Sequence, residues 1–187
     1  MRRPDRGGPL TLLVCLLVVV LVTATAPDPA TDARRALDDV AVGRWGELDH
    51  VQLRADRVQQ TRSATTRYDR LVESEVTLVL VDVEVAVTGE SVAFTEVLLL
   101  TRDGHEYEPR PEFPALVRTQ PGFTRHATLV FEVPVARVAG ARLLVDRDDV
   151  AFDVYSRAVR VDLGLRTDEP PVPGPVPVPE SVVEVTS

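Results

Sequence analysis

Apolar and polar residues alternate along most of this chain with the two-residue period of half-buried strands. The strongest run is VTLVLVDVEVAV (Val76–Val87). Val79, Val81, Val83, Val85 and Val87 fall on one face, and the other face turns polar at Asp82 and Glu84, which predicts a central strand. HVQLRADRV (His50–Val58) predicts another strand, with Val51, Leu53, Ala55 and Val58 inward. AFTEVLLL (Ala93–Leu100) follows, and HEYEP returns across Asp103-Gly104 to close a hairpin, with positive φ expected at the glycine. ATLVFEV (Ala127–Val133), ARLLVD (Ala141–Asp146) and VAFDVYSRAVRVDLG (Val150–Gly164) complete about seven strands, the last one long enough to divide at Ser156. Short turns and almost no helical periodicity predict an all-β antiparallel sandwich over residues 45–166.

The flanks read differently. MRRPDRGGPLTLLVCLLVVVLVTATA has a basic start, an apolar run from Leu10 to Val22 and small residues after it, the layout of an export signal. Residues 1–26 are a cleaved signal peptide or a signal-anchor transmembrane helix. Ala24-Thr25-Ala26 offers a cleavage site, and Pro27 directly after it disfavours the cut. In either case the arginines stay inside and the rest of the chain is delivered outside the membrane. Residues 27–44 are expected to be a polar stalk. At the other end EPPVPGPVPVPE (Glu169–Glu180) predicts an extended, Pro/Val-rich disordered tail over 167–187.

Composition narrows the chemistry. All 21 basic residues are arginine, with lysine, asparagine and isoleucine absent, a bias that GC-rich coding produces without any ligand. The formal net charge is −8, and removing residues 1–26 makes the remainder more acidic still. Such a surface repels phosphate backbones, so no nucleic-acid partner is expected. Cys15, in the middle of the apolar run, is the one cysteine, so the exported part has neither a disulfide nor a thiolate nucleophile.

No catalytic, cofactor-binding or metal residue is assigned. His50, His105 and His126 fall on separate predicted elements and form none of the paired-ligand spacings that zinc sites use. DRDD (Asp146–Asp149) gathers three carboxylates in an expected turn, a possible Ca²⁺ ligand set that lacks the bend glycine and the distal glutamate. Ser63, Ser74, Ser91, Ser156, Ser181 and Ser187 lie outside any nucleophile motif. Trp45, Tyr68, Phe113, Phe123 and Tyr155 are candidate contact residues, with Trp45 expected to plug the end of the core.

The succession LVLVDVEVAV, LLLTRDGHEYEP, PGFTRHATLVFEVP and ARLLV resembles the extracytoplasmic immunoglobulin-like domain family DUF4352 and related antigen-type sandwiches of Gram-positive bacteria. In that family V-x-V-x-V leads to L-x-D-x-x-G-x-x-Y, and a P-G turn precedes an lvFevP strand. The likeness spans roughly Trp45 to Leu163. Thr88-Gly89 departs from the family's asparagine after the central strand, and Arg62–Glu75 carries no landmark. The resemblance implies an immunoglobulin-like sandwich outside the membrane and does not imply a reaction. The expected function is therefore a non-catalytic, membrane-tethered interaction module or accessory subunit. Its partner would be an envelope or membrane protein, met through the loops Arg62–Glu75 and Pro109–Phe123. The alternative is a secreted carrier holding a small or lipidic ligand in the sandwich.

Overall fold

The structure is a computed structural model that describes residues 36–147, 157–166, 168 and 170–186. The expected signal or anchor (1–26) and residues 27–35 of the expected stalk lie outside the described residues, as do Asp148, Asp149 and Tyr155. Among the described residues no helix is long and apolar enough to cross a membrane.

Eleven strands are described: β1 Ala36–Ala41, β2 Gly46–Leu48, β3 Val51–Thr65, β4 Leu71–Val87, β5 Phe94–Leu100, β6 Glu106–Tyr107, β7 Phe123–Val133, β8 Arg142–Arg147, β9 Arg157–Asp162, β10 Val176–Pro177 and β11 Val182–Val185. They form two sheets. Sheet A runs β1-β9-β8-β5-β6, and sheet B runs β10-β3-β4-β7-β11 with β2 added beside β3. The β3–β4 hairpin stays in sheet B, β5 and β6 pass to sheet A, β7 returns to sheet B, and β8 and β9 finish in sheet A. Pairing is antiparallel except for β1 with β9 and β10 with β3.

The sheets face each other across a core of the residues that alternation placed inward. Val79, Val81, Val83, Val85 and Val87 of β4 meet Leu99 of β5, Leu143 and Val145 of β8, and Val159 and Val161 of β9, all fully or almost fully buried. Phe131 of β7 is the largest fully buried side chain. Each such valine or leucine contributes about 1.5–3 kcal/mol by leaving water, so the interface between sheets is the main stabilising element. β4 is the middle strand of sheet B, as its pattern predicted.

Four expectations are corrected. Residues 36–41 of the expected stalk form β1, in parallel register with β9 from Ala36↔Arg157 to Ala41↔Asp162. The guanidinium of Arg160 clamps Asp39 with two hydrogen bonds of 2.6 and 2.8 Å, and these hold the Asp39 carboxyl below its ordinary value. The stretch 62–75, expected to be irregular, is the far end of a hairpin whose strands are 15 and 17 residues long. A register shift between Ala55 and Arg57 inserts an extra residue into β3. A second, between Thr61 and Ser63, leaves extra residues in β4, whose paired positions step from Leu78 to Glu73. The first flips the inward face of β3, so the two-residue period disappears from the sequence although the strand continues. The tail, expected to be disordered, pairs with both sides of sheet B through β10 and β11. Trp45 is 37% exposed and carries the Arg54 guanidinium 4.7 Å from its ring centre, so it lies on the surface rather than plugging the core.

Candidate functional site

The β3–β4 hairpin ends in a five-residue turn, Thr66–Arg70. The Thr66 N–H donates to the Arg70 carbonyl at 2.9 Å, and the Asp69 N–H donates back to Thr66 at 2.9 Å. Asp69 takes φ of +57°, a left-handed conformation that aspartate tolerates better than most residues. The β5–β6 hairpin uses the same device. There the Thr101 N–H donates to His105, the Gly104 N–H donates to Thr101, and Gly104 has φ of +82° at the equivalent position.

The two turns differ in what they present. At Thr101–His105 the polar groups satisfy one another. The Thr101 hydroxyl donates to Asp103 at 2.5 Å, Asp103 lies 3.1 Å from His105 Nδ1 and 3.0 Å from Arg137 Nε, and Arg137 also donates to the Tyr107 hydroxyl at 3.1 Å. The hydrogen bond from Thr101, followed by that from the Asp103 backbone N–H and then the charges of His105 and Arg137, holds the Asp103 carboxyl below its ordinary value. This cluster ties a hairpin to the 3₁₀ turn Val135–Arg137 and gathers no reactive group.

At Thr66–Arg70 the four side chains that follow the buried Thr66 point to solvent. Tyr68 is 74% exposed, with the Arg67 guanidinium 4.4 Å from its ring centre, and Leu71 beside it is 48% exposed. An open depression of about 380 Å³ lies behind the tip, lined by Arg62, Ser63, Glu73, Ser74 and Glu75. At its side Ser74 donates to Glu132 at 2.5 Å, and Arg110 pairs with both Glu132 and Glu112. The Arg110 hydrogen bond is the main cause that lowers the Glu112 carboxyl, and the same bond raises Arg110.

The other sequence candidates are dispersed. Phe113 and Leu116 of the expected contact loop Pro109–Phe123 are buried, Phe113 against the outer face of sheet B and Leu116 in the main core. These two residues anchor the connection, whereas Val117 beside them is 52% exposed. Phe123 begins β7 and is half-buried. His50 adjoins β3, His105 lies in the hairpin turn and His126 stands on β7, 3.9 Å from Glu184. Asp146 is buried within β8, opposite Ala158 of β9, and does not belong to a turn. Among the described residues no three His, Cys, Asp or Glu side chains converge to hold a metal ion.

The feature missed from sequence is a groove on the outer face of sheet B. Leu78 and Leu80 of β4 and Val130 of β7, with Ala64 and Val72 from the hairpin end and Phe113, form a second apolar cluster. Val178 of the tail fills it at 2% exposure. The signal available in sequence was Leu78 and Leu80 on the otherwise polar face of β4, two apolar residues with nothing assigned to cover them.

No protein-family model matches the chain, and no curated protein matches it in sequence. Among solved structures it is similar in fold to the yjhA protein of Bacillus subtilis, with a TM-score of 0.50 and 12% identity over 66% of this chain and 99% of that one. An uncharacterized β-sandwich protein of Clostridium difficile 630 aligns at a TM-score of 0.43 and 10% identity, over 71% of this chain and 99% of that one. The candidate lipoprotein ycdA of Bacillus subtilis aligns at 0.43 and 16% identity, over 63% of this chain and 38% of that one. At these identities the likeness concerns the fold, a β-sandwich.

Proposed function

We propose that the chain is an exported, membrane-tethered immunoglobulin-like sandwich that acts without catalysis, as an interaction module or accessory subunit at the outer face of the membrane. Export is supported by the basic start and apolar run of residues 1–26. The immunoglobulin-like assignment is supported by topology. β3, β4 and β7 stand side by side in one sheet, and β9, β8 and β5 stand side by side in the other. That is the order in which strands A, B, E and G, F, C of an immunoglobulin domain are arranged. The tail strand β11 takes the place beside β7 that strand D would occupy. The motifs that resemble DUF4352 fall on regular elements: V-x-V-x-V lies on β4, Asp103-Gly104 turns the β5–β6 hairpin, and Pro121-Gly122 precedes β7.

The observation that carries the reading is Tyr68. A tyrosine three-quarters exposed at the tip of the β3–β4 hairpin, its ring covered on one side by an arginine, contributes little to the fold. Its rotamer is already restricted, so docking it against a partner costs less side-chain entropy than docking a free tyrosine. Arg67, Arg70 and Leu71 around it supply the mixed polar and apolar rim of a contact surface.

The double variant Tyr68→Ala/Leu71→Ala tests this. Both side chains are exposed, so the unfolding midpoint is expected to stay within about 0.5 kcal/mol of the parent. Chemical crosslinking in the intact cells that export the chain is expected to lose its dominant adduct. An unchanged adduct would refute the assignment of the hairpin as the contact surface. A mature N-terminus at Thr25 or Pro27 in the culture medium would refute tethering and support the secreted form.

A further inference from the structure

The tail is attached in an unusual way. Between Pro171 and Pro179 every second residue is proline. In a strand, amides two apart point to the same edge, so this spacing removes every donor from one edge and keeps those of residues 172, 174, 176 and 178 on the other. Two of the retained donors are used against β3: the Val172 N–H donates to Gln60 at 2.6 Å and the Val178 N–H to Thr65 at 2.9 Å. The Thr61 hydroxyl lies 3.3 and 3.2 Å from the carbonyl oxygens of Val172 and Gly174. The tail bends at Gly174, where φ is +81°, and its regular strand is the two residues of β10. On both sides of the bend its amides donate to β3. The tail can dock on an edge and offers no donor to a further strand on its outer side.

Side chains complete the docking. Val178 enters the apolar cluster lined by Ala64, Val72, Leu78, Leu80, Phe113 and Val130, with Val176 packed at its rim. Two residues later the Glu180 carboxylate pairs with Arg67 at 2.5 Å, at the base of the exposed Tyr68. The main core includes no residue beyond Leu165; the tail is held on sheet B instead, by β10 beside β3, Val178 on the outer face and β11 beside β7. The geometry is that of a peptide in a groove, with an edge for the backbone, a pocket for one valine and a cation for one carboxylate.

We infer that this groove is a binding site for an extended peptide segment of a partner, rich in valine and proline and carrying a carboxylate two residues after the seated valine, and that the chain's own tail occupies it here. The inference deepens the interaction-module reading and rests on it. It specifies the partner as an extended segment that competes with the tail, alongside a hairpin tip that contacts the partner's surface. The alternating prolines hold such a segment extended before it binds, which lowers the ordering cost.

The test uses the full chain and a fluorescent synthetic peptide of residues 170–186, read by anisotropy. In the unaltered chain the tethered tail competes at an effective concentration in roughly the millimolar range, so labelled peptide binds weakly. Val178→Asp in the protein places a charge at the seat and frees the groove. The V178D chain is expected to bind the unaltered peptide at least tenfold more tightly than the parent does. A peptide carrying Val178→Asp is expected to bind neither protein. Circular dichroism checks that the V178D chain keeps its sheets. If it does not, the same comparison is made with Val178→Ser, where the expected gain is smaller and of the same sign. Equal affinity for parent and variant, or no binding by either, overturns the inference. The crosslinking loss on Tyr68→Ala/Leu71→Ala does not involve the peptide, so failure of the groove and failure of the module reading are distinguishable.

Discussion

Replacing Val178 by alanine measures how firmly the tail is held and whether it opens apart from the sandwich. Val178 is 2% exposed and packs among the six apolar residues of the outer cluster. The substitution removes the equivalent of two buried methylenes, worth about 0.8 kcal/mol each, and leaves a small cavity that adds to the loss. The expected cost is about 2 kcal/mol, close to a 30-fold change in an opening equilibrium. Because the main core contains no tail residue, that change should be confined to the tail. Amide hydrogen exchange resolves it residue by residue. The Val172 and Val178 amides, bonded to Gln60 and Thr65, should exchange about 30-fold faster in V178A. The amides of Val81 and Leu129, at the centre of sheet B, should keep their parent rates. Unchanged tail amides would show that Val178 does not anchor the segment. An equal loss at Val81 and Leu129 would show that tail and sandwich open as one unit, so that a partner segment could not displace the tail alone.

The two related turns give opposite predictions at the same backbone position. Gly104→Ala, at φ of +82° with open space around the new Cβ, should lower stability by about 1 kcal/mol through backbone strain alone. Asp69→Gly, at φ of +57°, should raise it by about 0.5–1 kcal/mol; urea unfolding of the pair reads both, and effects of the same sign would contradict the shared geometry. Gly46→Ala would set a Cβ 2.5 Å from Val159 Cγ1, so overpacking between β2 and β9 should cost about 1–3 kcal/mol in the same assay, and a neutral result would show that this seam is loose. Thr101→Val removes the hydroxyl that contributes most to the lowered Asp103 carboxyl. A depressed carboxyl stabilises the fold above its unfolded pKa and loses that contribution as pH falls through its folded one. The variant's Asp103 should thus titrate nearer the ordinary value by NMR, with a flatter stability profile on the acid side of that value; an unmoved titration would assign the shift to the backbone N–H, His105 and Arg137.

The sandwich was legible where one face of a strand is buried along its whole length. Val79 to Val87 alternate without interruption because β4 has a neighbour on each side and the core beneath it. Alternation fails in β3 beyond Ala55 for a local reason. The bulge after Ala55 turns Gln60 inward while the tail covers Thr61 on the other face, so both are buried and no simple period survives. β1 was read as stalk because its apolar face is thin, and what fixes it is a long-range partner, β9, together with the Arg160 clamp on Asp39. The tail was read from its prolines as a chain without hydrogen-bond donors. That is correct for one edge only, and the use of the other edge depends on a groove that local sequence does not reveal. The candidate surface was half legible: Tyr68 and Arg62–Glu75 were singled out, whereas the hairpin that raises them and the buried state of Phe113 required the fold.

The central claim is that the β3–β4 tip is where this module meets its partner, and site-specific photocrosslinking tests it most directly. A photoreactive residue is placed at position 68 in one chain and at position 142, on the exposed part of sheet A, in another, and intact exporting cells are irradiated. The account predicts a discrete adduct from position 68 and none from position 142. Adducts of equal yield from both positions, or an adduct from position 142 alone, would contradict it.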